Sequence, residues 1–197
     1  YLGSEDYVRI VVAAARKYYA ENGGVKPLKL FINDYNLEST WDNNQKAKSL
    51  VHWIEKWESD GVTKIDGIGT QMHVAYRANA ADQQKKMFEI LAKSGKLVKV
   101  SELDMGYVDE SGTTVLTKDM TEEQHKAMAE YYKFIVKKYF EIIPVAQQYG
   151  ITQWCATDAP GAPGDSNWRG GEPVGLWDSN YNRKHTYAGF ADGLAGK

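Results

Sequence analysis

The strongest constraint on the fold is an alternation. Short apolar runs that read as strands, near residues 28–33, 65–71, 97–103 and 151–157, are separated by segments whose apolar residues recur at helical spacing. Ser4 is placed to cap a first helix with Glu5 and Asp6 in its opening turn, a stripe of Tyr7, Val11, Ala14 and Tyr18, and Gly23-Gly24 at its end. A second helix, from about Asn43 to Ser59, carries Ala47, Leu50, Val51, Ile54 and Trp57 on one face. A third covers Ala80 to Ser94. Thr121-Glu122-Glu123-Gln124 has the spacing of a capping box and opens a helix through Met128, Tyr131, Tyr132 and Ile135 to about Tyr139; Arg183 to Leu194 closes the chain. Strands alternating with helices predict an α/β domain whose parallel strands are joined by crossovers.

Nothing divides the 197 residues into two domains: there is no linker and no low-complexity tract. Four strands, preceded by a helix without a strand of its own, are half of a (β/α)8 barrel, which takes about 250 residues. An open doubly wound sheet is the structural alternative. Its Gly-rich phosphate loop is missing, since Ile32-Asn33-Asp34-Tyr35-Asn36 follows the first strand, and this argues against a nucleotide cofactor.

Charge narrows the partners. A net charge of -2 with scattered Lys and Arg creates no field that favours nucleic acid or an anionic membrane. No run of 18 or more apolar residues is present, so no membrane span is expected, and the first residues read as mid-domain, which places any targeting segment upstream. The single cysteine, Cys155, forms no internal disulfide and leaves the redox compartment undecided; within an apolar strand it reads as a small buried hydrophobe. Six Trp and 13 Tyr exceed what packing usually needs, and stacking on sugar rings is one use for the surplus.

Polar groups gather where the strand patterns end. The first ends in Asn33-Asp34-Tyr35-Asn36, the second in Gln71-Met72-His73, the third in Glu102-Leu103-Asp104, and the fourth in Trp154-Cys155-Ala156-Thr157-Asp158. The C-terminal rim is where barrel enzymes carry their catalytic groups. Residues i and i+2 of a strand share a face, so Glu102 and Asp104 point the same way. Read alone, these acids fit a solvated strand end equally well. No cofactor is implied and no metal site is expected: His73 has no partner histidine at ligand spacing, and His52, His125 and His185 fall in helical patterns.

Five segments in order resemble glycoside hydrolase family 10, the endo-1,4-beta-xylanases: Leu30 to Glu38, Gly67 to His73, Ser101 to Asp104, Trp154 to Asp158 and Gly175 to Asp178. The resemblance implies the fifth to eighth strands of that family's barrel and a retaining reaction on internal β-1,4-xylosidic bonds of xylan or xylo-oligosaccharide. It puts Glu102 at the nucleophile, with His73 and Asp104 in support. In this relay His73 bonds to Glu102 and Asp104 orients the imidazole; a donor on the charged form holds a carboxylate ionised. Neighbours on one strand cannot flank a glycosidic bond, so Asp104 is not the second catalytic acid. The family's acid/base glutamate, in an Asn-Glu pair after its fourth strand, is expected upstream of Tyr1, on an N-terminal half that completes the barrel.

The same resemblance makes Asn33, Tyr35, Asn36 and Gln71 cleft residues, and Trp168 and Trp177 the roof over the sugar. Here Ala159-Pro160 follows Asp158 where a Ser-Trp pair is commoner in the family. Glu38, several residues past its strand, suits a loop or supporting position, and Tyr187 suits helix packing. A secreted or cell-envelope location is implied. The alternatives are a non-catalytic carbohydrate-binding or structural fragment, and a related barrel glycosidase acting on β-1,4-glucan.

Overall fold

A computed structural model describes residues 5–76, 81–160 and 167–197. Six strands and five α-helices follow the order α1 (Tyr7–Glu21), β1 (Phe31–Asp34), α2 (Gln45–Glu58), β2 (Gly67–Thr70), β3 (His73–Tyr76), α3 (Ala81–Lys93), β4 (Leu97–Val108), β5 (Thr114–Val115), α4 (Glu122–Ile142), β6 (Gln148–Gln153) and α5 (His185–Leu194). The expected α/β alternation is present. β1, β2, β4 and β6 form a parallel array in that spatial order, since β4 pairs with β2 on one side and β6 on the other.

The central strand is longer than the sequence pattern indicated. β4 runs on to Val108 because its second half has partners of its own, β3 in parallel and the short β5 antiparallel. β2 and β3 both pair with β4, but out of step: Thr70 lies opposite Val100, whereas His73 lies opposite Asp104. β4 therefore holds one extra residue between the two ladders, which bends it as a bulge does. Buried Met72, at φ 58°, breaks the facing strand at the same level. The kink sits among the polar groups of the rim.

Apolar side chains of β2 and β4, Ile68, Val98, Val100, Leu103 and Met105, are fully buried against Ile54, Met87, Phe88, Leu91, Tyr132, Ile135 and Tyr139 of the helices. Burial of such a side chain contributes about 1.5–3 kcal/mol. Tyr139 also fastens α4 to the sheet, donating to the Val98 carbonyl at 2.8 Å and accepting from the Tyr149 and Gly150 N–H groups at 2.9 Å. The Thr121 capping box at the start of α4 forms as expected.

Three expectations need correction. In α1, Val8 and Val12 are the buried residues, while Tyr7, Val11 and Tyr18 are 50%, 63% and 60% exposed. The helix is turned by its arginines: Arg9 donates to the Trp57 carbonyl at 2.9 Å and Arg16 to Asp66 at 2.9 Å, which docks the Val8–Val12 face. Glu5 and Asp6 precede the helix, with Asp6 at its N-cap position, and Ser4 lies outside the described residues. β6 starts and stops earlier than expected, so Trp154 to Asp158 is a loop; Cys155 sits there at φ 65°, half-buried, its thiol pushed up by burial.

Candidate active site

The rim brings groups from four segments onto one imidazole. His73 opens β3, and its Nε2 lies 3.3 Å from Glu102 Oε2 while its Nδ1 lies 3.2 Å from Asp104 Oδ1. Both contacts are close but out of line for hydrogen bonds, and Nδ1 is a buried nitrogen without such a partner among the described residues. Glu102 and Asp104 reach the same ring because they project from the same side of β4, at its bulge. Glu102 remains partly open and accepts from Asn33 Nδ2 at 3.2 Å; Asn33 Oδ1 in turn accepts from Ser101 Oγ at 2.6 Å. Asn33 is thus fixed from behind and aimed at the carboxylate.

Asp104 is fully buried, and its partners come from the far end of the chain. Trp168 Nε1 donates to Oδ2 at 2.6 Å, and Arg169 Nη1 donates to Oδ1 at 2.9 Å. The same Arg169 nitrogen donates to the Val74 carbonyl at 3.1 Å, and its Nη2 and Nε reach Glu172 Oε2 at 2.6 and 3.1 Å. Burial pushes the Asp104 carboxyl up, while Arg169, Trp168 and His73 pull against that rise. Gly106 leaves room for the clamp, since a Cβ there would lie 2.0 Å from Arg169 Nη2 and 2.3 Å from Glu172 Oε2.

Aromatic rings wall the cluster. Trp168 stands 4.8 Å from the His73 ring, centroid to centroid, and Trp154 meets both rings edge-on at 6.1 and 6.3 Å. Both indoles are half-exposed. Residues 161–166 of the loop assigned to the roof lie outside the described residues.

The other candidates sit apart from the imidazole. Tyr35 is exposed, with Lys46 Nζ 3.6 Å above its ring, and that amine also donates to Asp34 at 2.8 Å. Asn36 adopts φ 56° at the turn beyond. Gln71 is tied by its backbone N–H to the Asp34 carbonyl at 3.0 Å. Trp177 packs on Tyr187 at 5.1 Å and bridges Thr157 and Arg183, placing it in the wall behind the rim.

Several contributors escaped the sequence reading. Arg169 and Glu172 carried no signal beyond adjacency to Trp168, and Trp154 was visible only as the start of a strand-end motif. Glu38, read as a loop or supporting residue, is 6% exposed, and burial pushes its carboxyl up to about 7 against the pull of its own backbone N–H, His73 and Lys46.

A family model, glycosyl hydrolase family 10, matches residues 1–193. The chain belongs to glycosyl hydrolase family 10. Its relatives include the endo-beta-1,4-xylanase Xyn10C of Cellvibrio japonicus, 33% identical over 85% of this chain and 28% of that protein. An exoglucanase, XynX of Acetivibrio thermocellus, is 31% identical over 84% of this chain and 13% of that protein. A solved variant of xylanase 10C from Cellvibrio japonicus in complex with xylopentaose superimposes with a TM-score of 0.71 at 27% identity, covering 91% of this chain and 39% of the other. The chain thus spans well under half the length of these three proteins. Its parallel α/β array is part of the family 10 (β/α)8 barrel. Every segment that contributes to the rim falls within the matched residues.

Proposed function

We propose that this chain is the part of a retaining endo-1,4-β-xylanase that carries the nucleophile, and that Glu102 is that nucleophile. One observation carries the reading: Glu102 is a rim carboxylate that stays partly open, accepts a hydrogen bond from Asn33, and lies 3.3 Å from the His73 ring, which Trp168 walls on another side. Attack of a Glu102 oxygen on the anomeric carbon forms a glycosyl ester as the bond to the leaving oxygen breaks. Water then attacks the same carbon and frees Glu102. His73 lies beside the attacking carboxylate with Asp104 behind the ring, and Trp168 covers the sugar while its N–H ties it to Asp104.

A retaining reaction needs a second carboxyl about 5–5.5 Å from the first to protonate the leaving oxygen. Asp104 does not fill that role, because both of its oxygens are engaged by Trp168 and Arg169 and it shares a strand with Glu102. The acid/base carboxyl is assigned to the remaining strands of the barrel, whether on the same polypeptide or a complementary one. Asn33, Tyr35, Asn36 and Gln71 line the cleft in this reading. Residues 1–197 are accordingly one continuous part of a single catalytic domain. No described helix is long and apolar enough to cross a membrane, and an extracellular or periplasmic site of action follows from the polymeric substrate.

The test is hydrolysis of xylan and of carboxymethylcellulose by the complete barrel, with product stereochemistry followed by NMR. The wild type should prefer xylan and release products of retained configuration, and Glu102→Gln should lower kcat on the order of 10⁴-fold or more. Retained xylanase activity in Glu102→Gln would falsify the nucleophile assignment. Preference for the glucan would favour a second reading, a β-1,4-glucanase, which the name of the exoglucanase relative supports. Binding of xylan without hydrolysis would favour a carbohydrate-binding role.

A further inference from the structure

Behind the nucleophile cluster, His73 also borders a small cavity of about 180 Å³, whose lining includes Glu38 and Gln84. The polar atoms gathered there lack partners. Glu38 Oε2, Gln84 Oε1 and His73 Nδ1 are buried without a hydrogen bond among the described residues, and so is the hydroxyl of Tyr131, which lies near Gln84 and Glu38. Glu38 and Gln84 are 6% and 3% exposed. A buried polar group left unmade costs about 1–3 kcal/mol. Four such groups around one polar cavity are the setting in which water is held as part of a structure, each molecule bridging several of them.

Glu38 is the acid of this set and His73 the base. An ionised Glu38 is an acceptor in want of a donor, and a protonated imidazole donates from both nitrogens. A carboxylate facing an imidazole favours its protonated form. Glu102 and Asp104 lie 3.3 and 3.2 Å from the ring nitrogens, and Glu38 stands farther off across the cavity, so its link to the ring runs through water.

We propose that Glu38 is a positioning residue for the nucleophile: across the cavity its carboxylate keeps His73 supplied with a proton, so that the imidazole holds an N–H toward Glu102 when that oxygen must leave the sugar. The proposal rests on the xylanase reading of Glu102. The second step expels Glu102 as a carboxylate, and a donor on the departing oxygen stabilises the charge that forms there. The charged or titratable groups facing Glu38 are His73 of β3, Asp42 and Lys46 at the start of α2, and Tyr131 of α4. Those facing His73 are Glu102 and Asp104 of β4, with Arg169 behind Asp104. Because burial pushes the Glu38 carboxyl up to about 7, its charge, and with it its hold on His73, belongs to the alkaline side of neutrality.

The test uses the complete barrel with Glu38→Gln and Glu38→Asp. On xylohexaose, kcat of Glu38→Gln should equal that of the wild type below about pH 5.5, where both carry a neutral group, and be about 10-fold lower at about pH 8. KM should stay within about twofold, and Glu38→Asp should restore most of the loss. Profiles that coincide, or that differ equally at every pH as loss of packing would make them, overturn the proposal. A second measurement needs no hydrolysis. The Glu38 carboxyl, labelled with carbon-13 and assigned with Glu38→Asp, should titrate at higher pH in His73→Asn, because the pull of the imidazole is gone. An unmoved titration also overturns the proposal, and it decides the matter if Glu38→Gln fails to fold. If the wild type hydrolyses no xylan, the xylanase reading falls, and the titration alone decides whether Glu38 acts on His73.

Discussion

At Glu38 the fold retains a proton that the unfolded chain releases. The carboxyl titrates near 4.5 when solvated and at about 7 in its buried place, with His73, Lys46 and Asp42 as its charged neighbours and Tyr131 close by. The folded-state value is the higher one, so its contribution to stability is full below pH 4.5 and is lost as pH rises to 7. At about 1.4 kcal/mol per unit this amounts to about 3 kcal/mol across that window. Glu38→Gln carries no such proton, and urea midpoints measured between pH 4.5 and 8 should slope less in that variant than in the wild type, with the gap closing toward low pH. An unchanged slope would show that Glu38 is ionised in the folded state. Residues such as Glu38 and Arg169 mark the limit of what the sequence discloses. Glu102, Asp104 and His73 could be read because strand periodicity and motif order locate them. Arg169 acts on Asp104 from 65 residues away, and no local pattern records so distant a pairing.

At the scale of elements, α4 and α5 approach closely through a glycine. Gly189 faces Ala129 so tightly that a Cβ would lie 2.0 Å from its carbonyl oxygen, and the atom it would meet is backbone, which cannot rotate aside. Two effects of Gly189→Ala oppose each other: alanine favours a helix by about 1 kcal/mol over glycine, while overpacking costs about 1–3 kcal/mol and more where backbone must move. The clash should win. Thermal unfolding of Gly189→Ala is expected at a lower Tm, by roughly 2–4 °C per kcal/mol of net loss for a domain of this size; a Tm equal to the wild type's would mean that the helices slide apart without cost. The elements themselves were mostly legible, the four strand regions and the Thr121 cap above all. What was hidden depends on partners. The extension of β4 needs β3 and β5, its extra residue is visible only in the ladder register, and the α1 stripe was misjudged because both faces of that helix carry apolar residues and its arginines decide which one docks.

For the whole molecule, the sheet is open. Among the described residues β1 pairs only with β2, leaving its other side unladdered, and beside it a groove of about 810 Å³ runs between Ile32, Asn33, Lys46, Leu50 and Trp53. Tyr7 of α1, 50% exposed, lines the same groove, so this side has the character of an interior surface left uncovered. We expect the 197-residue chain alone to self-associate in sedimentation velocity, and a polypeptide supplying the remaining barrel strands to restore a monodisperse species. A soluble monomer that unfolds cooperatively by itself would count against that. The long reach of Arg169 also sets a schedule for biosynthesis. At roughly 5–20 residues per second, the 65 residues between Asp104 and its guanidinium partner take several seconds to emerge. Until then Asp104 lacks its guanidinium partner, and the surroundings of Glu102 are among the last parts of the nascent chain that can set.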